Sequence, residues 1–402
     1  MDTPVDTDSL DVPGRTLMGP GPSEVHPDVL RACSTPMVGH LDPAFLDVMD
    51  AVQERLRRVF RTDNELTIPV SGTGSAAMET AVANLVEPGE TVLVPTNGYF
   101  GDRLGAMAER AGAEVATVEA PWGEPLDPEV VERALERAEP SVFAFVHGET
   151  STGVRQPAVG TLVDLAHEHD CLTIVDTVAS LGGVDVPVDD WGADVVYAGS
   201  QKCLSAPPGA SPITVGERAL SKIADRESPV RSWYLDLTLL DRYWGSERTY
   251  HHTAPISNVY ALHEALGRIL DDGLDATLAR HRALSEAMAA GVEALGLELA
   301  VDPDHRLRTL NAVAVPEGVD DGAVIGRLLD VHGIEVAGGL GAFAGEIFRI
   351  GCMGYSARVE NVLRTVYALG ESCRAAGADV DVGAGVAATA DALRSSSVTE
   401  PP

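Results

Sequence analysis

The sequence predicts an α/β protein in which a large domain with a mostly parallel sheet precedes a smaller C-terminal α+β domain. Between residues 65 and 216, short apolar runs alternate with amphipathic helical patterns. The runs are almost continuously apolar, which is typical of parallel strands that helices cover on both faces. The chain has 402 residues, which is enough for two hydrophobic cores.

The elements follow in order along the chain. Apolar runs predict strands at Thr91–Pro95, Glu114–Ala120, Ser141–Val146, Cys171–Asp176, Asp194–Ala198 and Ser211–Val215. Helical periodicity lies between these strands, at 75–87, 100–111, 127–138 and 158–169. After an irregular helical stretch at 217–272, the patterns predict a long helix at 274–296, strands near 310–316 and 347–351, and a final helix at 356–376.

These patterns divide the chain into four parts. We predict a large domain at residues 15–272 and a small C-terminal domain at residues 273–376. Residues 1–14 are acidic and lack apolar periodicity, so we predict a flexible acidic arm there. Residues 377–402 are small and polar, a composition that is typical of disordered tails.

The chain is strongly acidic. Asp and Glu number 61 against 29 Lys plus Arg, which gives a formal net charge of −32. Such an excess repels nucleic acid and anionic lipid, so we expect neither nucleic acid nor a membrane as a partner. Only two of the 29 basic residues are lysines, Lys202 and Lys222. Acid enrichment with lysine depletion is typical of a halophilic protein, because a salty cytoplasm screens the repulsion.

Other features of the sequence favour a cytoplasmic protein without a metal. No apolar run approaches 18 residues, and the N-terminus lacks the apolar core of a signal peptide. The five cysteines are scattered without CxxC spacing, which fits reduced thiols. The adjacent His251 and His252 would point in different directions, and no acidic residue stands at a ligand spacing from them, so we expect no zinc site.

Lys202 is the first candidate for a chemical role. It stands in the run Gly199–Lys202, directly after a predicted strand. Most lysines are ordinary surface residues, but this chain has almost none of those. Burial lowers the pKa of an amine, and a neutral amine can condense with an aldehyde, which arginine cannot do. Lys222 stands in a helical pattern, and we expect it to be solvated.

Further candidates follow predicted strands, where open α/β sheets bind their ligands. Asp176 closes a strand and is either a hydrogen-bonded loop residue or a carboxylate that keeps a pyridine nitrogen protonated. The run Ser71–Ser75 (SGTGS) opens a helix, and its backbone N–H groups could approach a phosphate. The same run could be a tight turn or half of a dinucleotide fingerprint, although GxGxxG spacing is absent. His147 either lines the crevice or is a hydrogen-bonded loop histidine.

Six segments together carry a resemblance to a known family. They are VPTNGYFGDR (94–103), HGETSTGVRQP (147–157), VDTVASLGG (175–183), GSQKCLSAPPG (199–209), YHHTAPIS (250–257) and GGLGAFAGEIFRIGCMG (338–354). In this order they resemble the class V, fold type I aminotransferases, and especially the alanine–glyoxylate and serine–pyruvate (glyoxylate) branch. The resemblance covers about residues 17–375. It implies pyridoxal 5′-phosphate as cofactor and a seven-stranded sheet in the large domain.

The resemblance implies roles for the residues that match the family's motifs. Lys202 would form a Schiff base with the cofactor and transfer the alpha proton. Asp176 would pair with the pyridinium nitrogen, and Val178 would lie beneath the ring. Phe100, which without the resemblance is better explained as a core aromatic, would stack on the other face, where the family usually has Trp. The other cofactor contacts would come from Thr73, Gly74, Ser75, Ser151 and Gln201.

The resemblance also implies a substrate site and a dimer. Arg349 would bind the substrate carboxylate, unless it belongs to a structural ion pair, and Gly21 and Ser151 would border the substrate. Tyr250 and Thr253 would reach the phosphate of the neighbouring subunit's cofactor, which implies a homodimer with shared active sites. The implied reaction is ping-pong transamination between a small amino acid, alanine or serine, and a small 2-oxo acid, glyoxylate or pyruvate.

Several alternatives remain. Aspartate, phosphonate or ureide aminotransferases share the class, as does a cysteine desulfurase or other C–S lyase. A desulfurase normally has His before the lysine and a nucleophilic Cys on a mobile loop, whereas here Gln201 precedes Lys202 and Cys352 stands at a predicted strand end. A nucleotide-binding Rossmann module lies outside the class and would need the missing fingerprint.

Overall fold

The computed structural model describes residues 11–396. The strands are β1 (Thr16–Leu17), β2 (Leu66–Gly72), β3 (Thr91–Thr96), β4 (Glu114–Glu119), β5 (Val142–Val146), β6 (Gly148–Glu149), β7 (Val154–Arg155), β8 (Leu172–Asp176), β9 (Val195–Tyr197), β10 (Gly209–Val215), β11 (Leu310–Ala314), β12 (Ile334–Glu335), β13 (Ala337–Gly338) and β14 (Ile347–Gly351). The α-helices are α1 (Pro27–Cys33), α2 (Pro43–Phe60), α3 (Gly74–Leu85), α4 (Tyr99–Ala111), α5 (Pro128–Ala138), α6 (Val159–Glu168), α7 (Val188–Trp191), α8 (Glu217–Ala224), α9 (Leu237–Trp244), α10 (Ile256–Asp272), α11 (Leu274–Ala294), α12 (Asp321–His332), α13 (Val359–Ala375) and α14 (Val382–Ser395).

Seven strands form the central sheet, in the order β2-β10-β9-β8-β5-β3-β4. Strand β10 runs antiparallel to its neighbours β2 and β9, and the other pairings are parallel. Every residue of the inner strand β5 is buried, as expected for a strand between two helical layers. The predicted α/β class with a mostly parallel sheet is confirmed.

Aspartate caps explain where several helices begin. Asp42, Asp127 and Asp381 each accept a hydrogen bond from a backbone N–H group of the first turn of α2, α5 and α14. The helices α3 and α4 differ, because their N-cap residues Thr73 and Gly98 make no side-chain cap hydrogen bond. The first-turn N–H groups of α3 and α4 are therefore left for other partners, as they are in several further helices without a side-chain cap.

The buried apolar residues form two main clusters. The first belongs to the central sheet and the helices up to Ile269, and the second to α11–α14 with β11 and β14. We propose that these cores correspond to the predicted large and small domains. Met18 belongs to the second cluster, because β1 pairs with β12. This pairing joins the start of the predicted large domain to the second cluster instead of the first.

The C-terminal segment differs from the predicted disordered tail. Residues Val382–Ser395 form α14, which packs against α11 and α13. Glycines allow this approach: a Cβ on Gly385 would lie 2.6 Å from Leu295 Cγ, and a Cβ on Gly291 would overlap the hydroxyl of Thr389. Residues 1–10 of the predicted arm and 397–402 of the predicted tail lie outside the described residues.

A pair of glycine substitutions tests this helix contact. We expect Gly291→Ala to lower the free energy of unfolding by about 1–3 kcal/mol, because the added methyl group has no space between α11 and α14. The control is Gly326→Ala in α12, where nothing lies within 4 Å of the new Cβ. This control should stabilise the protein by up to about 1 kcal/mol, since alanine favours helix. Urea unfolding checks both, and equal stability of the two variants would contradict the close packing of α14.

Within residues 11–396, no helix combines the length and apolar composition that crossing a bilayer requires.

Candidate active site

The parallel strands of the central sheet end at one edge, and the segments that follow them line a cavity of about 170 Å³. This is the edge at which open α/β sheets bind ligands. The cavity brings together most of the predicted cofactor-binding set: Thr73, Gly74, Ser75, Phe100, Asp176, Val178, Gln201 and Lys202.

The Lys202 side chain is enclosed in this cavity. Burial is the main cause that lowers the pKa of its amine to about 8, and the cations Arg349 and Arg103 act in the same direction. The amine donates a hydrogen bond to the carbonyl of Pro20. A pKa so near neutrality leaves part of the amine unprotonated and therefore nucleophilic. Lys222, which we expected to be solvated, instead forms an ion pair with Glu90.

Asp176 ends β8, and 3% of its surface is exposed. The Tyr197 hydroxyl donates to Oδ2 at 2.8 Å, and the Val178 N–H group donates to Oδ1 at 2.8 Å. Burial raises the pKa of the Asp176 carboxyl to about 6, although both hydrogen bonds oppose the shift. Because both donors are neutral, the buried carboxylate can still stabilise a cation such as a protonated ring nitrogen.

An anion-binding arrangement lies at the start of α3. Thr73, Gly74 and Ser75 contribute its first turn, whose N–H groups lack partners within the helix. Arg103 on α4 donates to Ser75 Oγ at 3.3 Å. The side-chain oxygen of Gln201 is buried and accepts no hydrogen bond within the described chain. The oxygen and nitrogen of a glutamine amide exchange places when the amide group is rotated by 180°. The Gln201 side chain can therefore donate an N–H group to a phosphate.

Phe100 lines the cavity, so it is not simply a core aromatic, and its ring centre lies 5.0 Å from the Arg103 guanidinium. Ser151 is fully buried and does not line the cavity. Its hydroxyl donates to Glu149 Oε1 at 2.6 Å and accepts from the Tyr99 N–H group at 2.9 Å. A contact of Ser151 with cofactor or substrate therefore stays a prediction.

Arg349 lies in β14 and is 6% exposed. Its Nε donates to the Gly338 carbonyl at 2.7 Å and its Nη1 to the Thr150 carbonyl at 3.4 Å. Burial lowers the pKa of the guanidinium, which Glu149 partly offsets. No carboxylate of residues 11–396 lies within ion-pair distance of Arg349. Arg349 therefore does not belong to a structural ion pair within these residues, and its guanidinium can bind the carboxylate of a ligand.

The N-terminal strap, residues 18–23, lies against Lys202. A Cβ on Gly21 would lie 2.5 Å from Lys202 Nζ, and the φ of Gly21, 108°, also requires glycine. The strap is fixed at both ends: the Met18 N–H group donates to the Glu335 carbonyl at 2.9 Å, and Ser23 Oγ donates to the Lys202 carbonyl at 2.7 Å. Gly21 therefore lies directly against Lys202, and its contact with the substrate stays a prediction.

Tyr250 and Thr253 do not line this cavity; both are exposed, Tyr250 by 58%. Between them, His251 and His252 are buried and joined by a hydrogen bond of 2.7 Å between their Nδ1 atoms. The Nε2 atom of His252 is bonded to Ser71 Oγ at 2.6 Å. No group of three or more His, Cys, Asp or Glu side chains in the described chain could hold a metal ion.

His147 does not line the cavity either. It is buried, its Nδ1 shares a hydrogen bond of 2.9 Å with Ser180 Oγ, and burial lowers the pKa of its imidazole to about 3. Of the two alternatives for His147, the hydrogen-bonded loop histidine is the one that the structure supports.

Three residues of the site were not identified from the sequence: Arg103, Tyr197 and Glu149. Arg103 is three positions after Phe100, so helical spacing places both on one face of α4. Tyr197 pairs with Asp176 across β8 and β9, which follows from the register and not from the local pattern. Glu149 is the only acidic residue in a run of glycine, serine and threonine residues after β5 (148–153), and this contrast was the available signal.

Pyridoxal phosphate carries an aldehyde, a basic ring nitrogen and a phosphate, and the cavity contains a counterpart for each group. The Lys202 amine suits the aldehyde, the Asp176 carboxylate suits the ring nitrogen, and the start of α3 suits the phosphate. The unsatisfied amide of Gln201 also indicates that a ligand completes the site. Fold and cavity together define a pyridoxal-phosphate enzyme of fold type I.

The chain belongs to the aminotransferase class-V family, whose model matches residues 23–360. It is a pyridoxal-phosphate-dependent aminotransferase, as the resemblance of the six sequence segments implied.

Three relatives illustrate the similarity. The alanine–glyoxylate aminotransferase of Drosophila melanogaster is 42% identical over 367 residues, which cover 90% of this chain and 93% of the relative. The crystal structure of alanine–glyoxylate aminotransferase from Nostoc sp. has a TM-score of 0.90 and 51% identity, covering 92% of this chain and 97% of that one. The ureidoglycine–glyoxylate aminotransferase of Bacillus subtilis has a TM-score of 0.94 and 42% identity, covering 96% and 100%.

Proposed function

We propose that the enzyme transfers the amino group of alanine or serine to glyoxylate or pyruvate in a ping-pong reaction. The observation that carries this proposal is the buried Arg349 guanidinium. Its hydrogen-bond partners are backbone carbonyls, and its positive charge acts on the amine of Lys202. One such guanidinium binds one carboxylate, which favours a substrate with a single carboxylate. The relatives named for glyoxylate support the choice of acceptor.

In this proposal each residue has one task. Arg349 binds and orients the substrate carboxylate. Lys202 removes the alpha proton from the amino acid and later returns a proton to the 2-oxo acid. Bound pyridoxal phosphate supplies the electron sink for the carbanion at the alpha carbon. Asp176 keeps the ring nitrogen positively charged, while Thr73–Ser75 and Gln201 hold the phosphate.

We further propose a homodimer in which Tyr250 and Thr253 reach the partner's cofactor. Both side chains are exposed and lie outside the cavity of their own chain. Two large aromatic side chains from another segment are exposed as well: Trp233 by 63% and Tyr234 by 42%. The Trp233 ring stacks on His251 with 4.3 Å between centres, so the exposed aromatics adjoin the Tyr250 loop. Exposed apolar groups of this size are typical of an interface.

The environment of the enzyme also stays a proposal. The net charge of −32 and the two lysines favour a salty cytoplasm, in which ions screen the repulsion between carboxylates.

Among the alternatives, a ureide donor is favoured by one relative, the ureidoglycine–glyoxylate enzyme of Bacillus subtilis. A cysteine desulfurase would need a reactive thiol. Cys352 is completely buried at the end of β14, and burial raises the pKa of its thiol to about 12, so a thiolate is disfavoured there. The desulfurase alternative therefore has no support from this site.

A donor–acceptor panel tests the proposed substrates. We expect product from alanine or serine with glyoxylate or pyruvate, and loss of it in Arg349→Gln. This variant should raise KM for both substrates about 100-fold, because each would lose a charged hydrogen bond. Arg282→Gln, at an exposed position of α11, is the control and should leave KM unchanged. Turnover with ureidoglycine alone, or with aspartate alone, would replace the proposed donors.

A further inference from the structure

Glu149 is a completely buried carboxylate that the proposed reaction does not use; 1% of its surface is exposed. Oε2 accepts from the N–H groups of Phe100 at 3.0 Å and Gly101 at 3.3 Å. Oε1 accepts from the Ser151 N–H group at 3.0 Å and from its hydroxyl at 2.6 Å. Four donors thus converge on the two oxygens, and within the described residues no basic side chain forms an ion pair with them.

The donors on Oε2 belong to the first turn of α4. The third N–H group of that turn, from Tyr99, donates to Ser151 Oγ at 2.9 Å, and Ser151 itself is bonded to Glu149. Glu149 therefore serves as the N-cap of α4, although about fifty positions separate it from that helix in sequence. A negative charge at this place is also stabilised by the helix dipole.

The residue at the ordinary N-cap position is adapted to this arrangement. Gly98 has no side chain that could cap α4, and a Cβ on it would lie 2.5 Å from Glu149 Cδ and 2.6 Å from Ser151 Oγ. The φ of Gly98 is 174°, an extended conformation that any residue adopts, so backbone strain does not explain the glycine. The glycine instead leaves space for the Glu149 carboxylate.

The helix that Glu149 caps carries two side chains of the cofactor cavity. Phe100 stands in the first turn, and Arg103 follows three positions later with its guanidinium 5.0 Å from the Phe100 ring. Arg103 also donates to Ser75 Oγ at the start of α3. A shift of the first turn of α4 would therefore move the aromatic side chain and the cation at the anion-binding turn together.

We propose that Glu149 is a positioning residue, whose carboxylate caps α4 and thereby holds Phe100 and Arg103 against the bound cofactor. The proposal rests on the proposed function only for its kinetic consequence, since cofactor binding does not depend on the substrate. The four donors around the two oxygens fit the ionised carboxylate, which accepts hydrogen bonds with both oxygens. Burial raises the pKa of Glu149 to about 7, so these hydrogen bonds act against a strong tendency to bind a proton.

The test is Glu149→Gln, measured first as affinity for pyridoxal phosphate in the absence of substrate. The NH2 group of the glutamine amide would face N–H donors that now bind the carboxylate, so the cap of α4 would be lost. We therefore expect the dissociation constant of pyridoxal phosphate to rise about 10- to 100-fold. At saturating cofactor we expect kcat to fall as well, with KM for the amino acid within about twofold of the wild type, because Arg349 is held by other groups. A purely structural role would leave kcat per folded, cofactor-saturated site unchanged.

Two further variants make the result decisive. Gly98→Ala leaves the carboxylate in place but displaces it, and we expect weaker cofactor binding in the same direction. Asp102→Asn removes an exposed carboxylate from the same turn and should bind the cofactor as the wild type does. An equal loss of cofactor affinity in Asp102→Asn would mean that only charge near the helix terminus matters, which would overturn the proposal. Unchanged affinity in Gly98→Ala would overturn it as well. The Gly98→Ala result decides the question even if Glu149→Gln does not fold. Absence of turnover with alanine or serine would refute the proposed substrates without affecting the affinity measurements.

Discussion

Lys202→Ala should abolish transamination while leaving the protein folded. The amine is the only one in the described cavity, its pKa is lowered to about 8, and alanine can neither condense with an aldehyde nor move the alpha proton. Loss of a general acid–base group alone lowers kcat by about 100- to 10,000-fold. We expect at least that loss in turnover of alanine with glyoxylate. Borohydride treatment in the presence of pyridoxal phosphate should place the cofactor's mass on the peptide that contains Lys202.

The matched control is Lys222→Ala, the other lysine of the chain, which pairs with Glu90 outside the cavity and should retain wild-type turnover. A second control uses the proposed dimer. Lys202→Ala chains mixed with chains in which Tyr250 and Thr253 are both alanine should regain activity, because one site of each hybrid contains intact groups from both chains. Turnover that survives in Lys202→Ala, or an adduct on another residue, would contradict the assignment of the site.

Asp176→Asn should have opposite effects on activity and stability. The variant keeps the shape of the side chain but loses the charge that holds the ring nitrogen protonated. Removal of one preorganised electrostatic partner lowers kcat by about 100- to 1,000-fold. We expect a loss of this size at saturating cofactor, measured as the initial rate of transamination. The Tyr197 and Val178 donors remain in the variant, so the position of the loop should change little.

The stability of the cofactor-free protein should change in the other direction. Burial raises the pKa of Asp176 from 3.8 to about 6, so the folded protein binds a proton that the unfolded chain has released. Stability is therefore lost as pH rises from about 4 to 6, by about 3 kcal/mol for a shift of this size. Asn cannot ionise, so the variant should be more stable than the wild type at pH 8 in urea unfolding. The exposed Asp190→Asn is the control, and a less stable Asp176→Asn protein would contradict this account.

The sequence was sufficient for elements whose pattern is local. Strands β3, β4, β5, β8, β9 and β10 lie within two residues of the predicted bounds. Asp176 was identified because it ends such a strand, and Lys202 because it follows one and is one of only two lysines. Parallel strands bring their carboxyl ends to one edge, where both residues line the cavity. The family resemblance then added the residues at the start of α3, which the local pattern alone left open.

Features that depend on distant contacts were missed. Strand β2 contains Pro69, which is unfavourable inside a sheet, but β2 is the edge strand and pairs there with Pro212 of β10. Helix α14 was missed because two of its three buried residues, Gly385 and Thr389, are not apolar side chains, and their burial depends on the contact with α11. The roles of Tyr197 and Glu149 arise only when neighbouring strands and α4 are assembled, so no local rule could assign them.

The pairing of Lys222 with Glu90 has a practical consequence for anyone who attaches this enzyme to a surface or a dye. Amine-directed reagents normally modify many harmless lysines, but here one lysine is tied up in an ion pair and the other is Lys202 itself. Four of the five thiols are buried, so maleimide chemistry offers little more. Immobilisation through carboxylates, which this chain has in abundance, would spare the amine on which turnover depends.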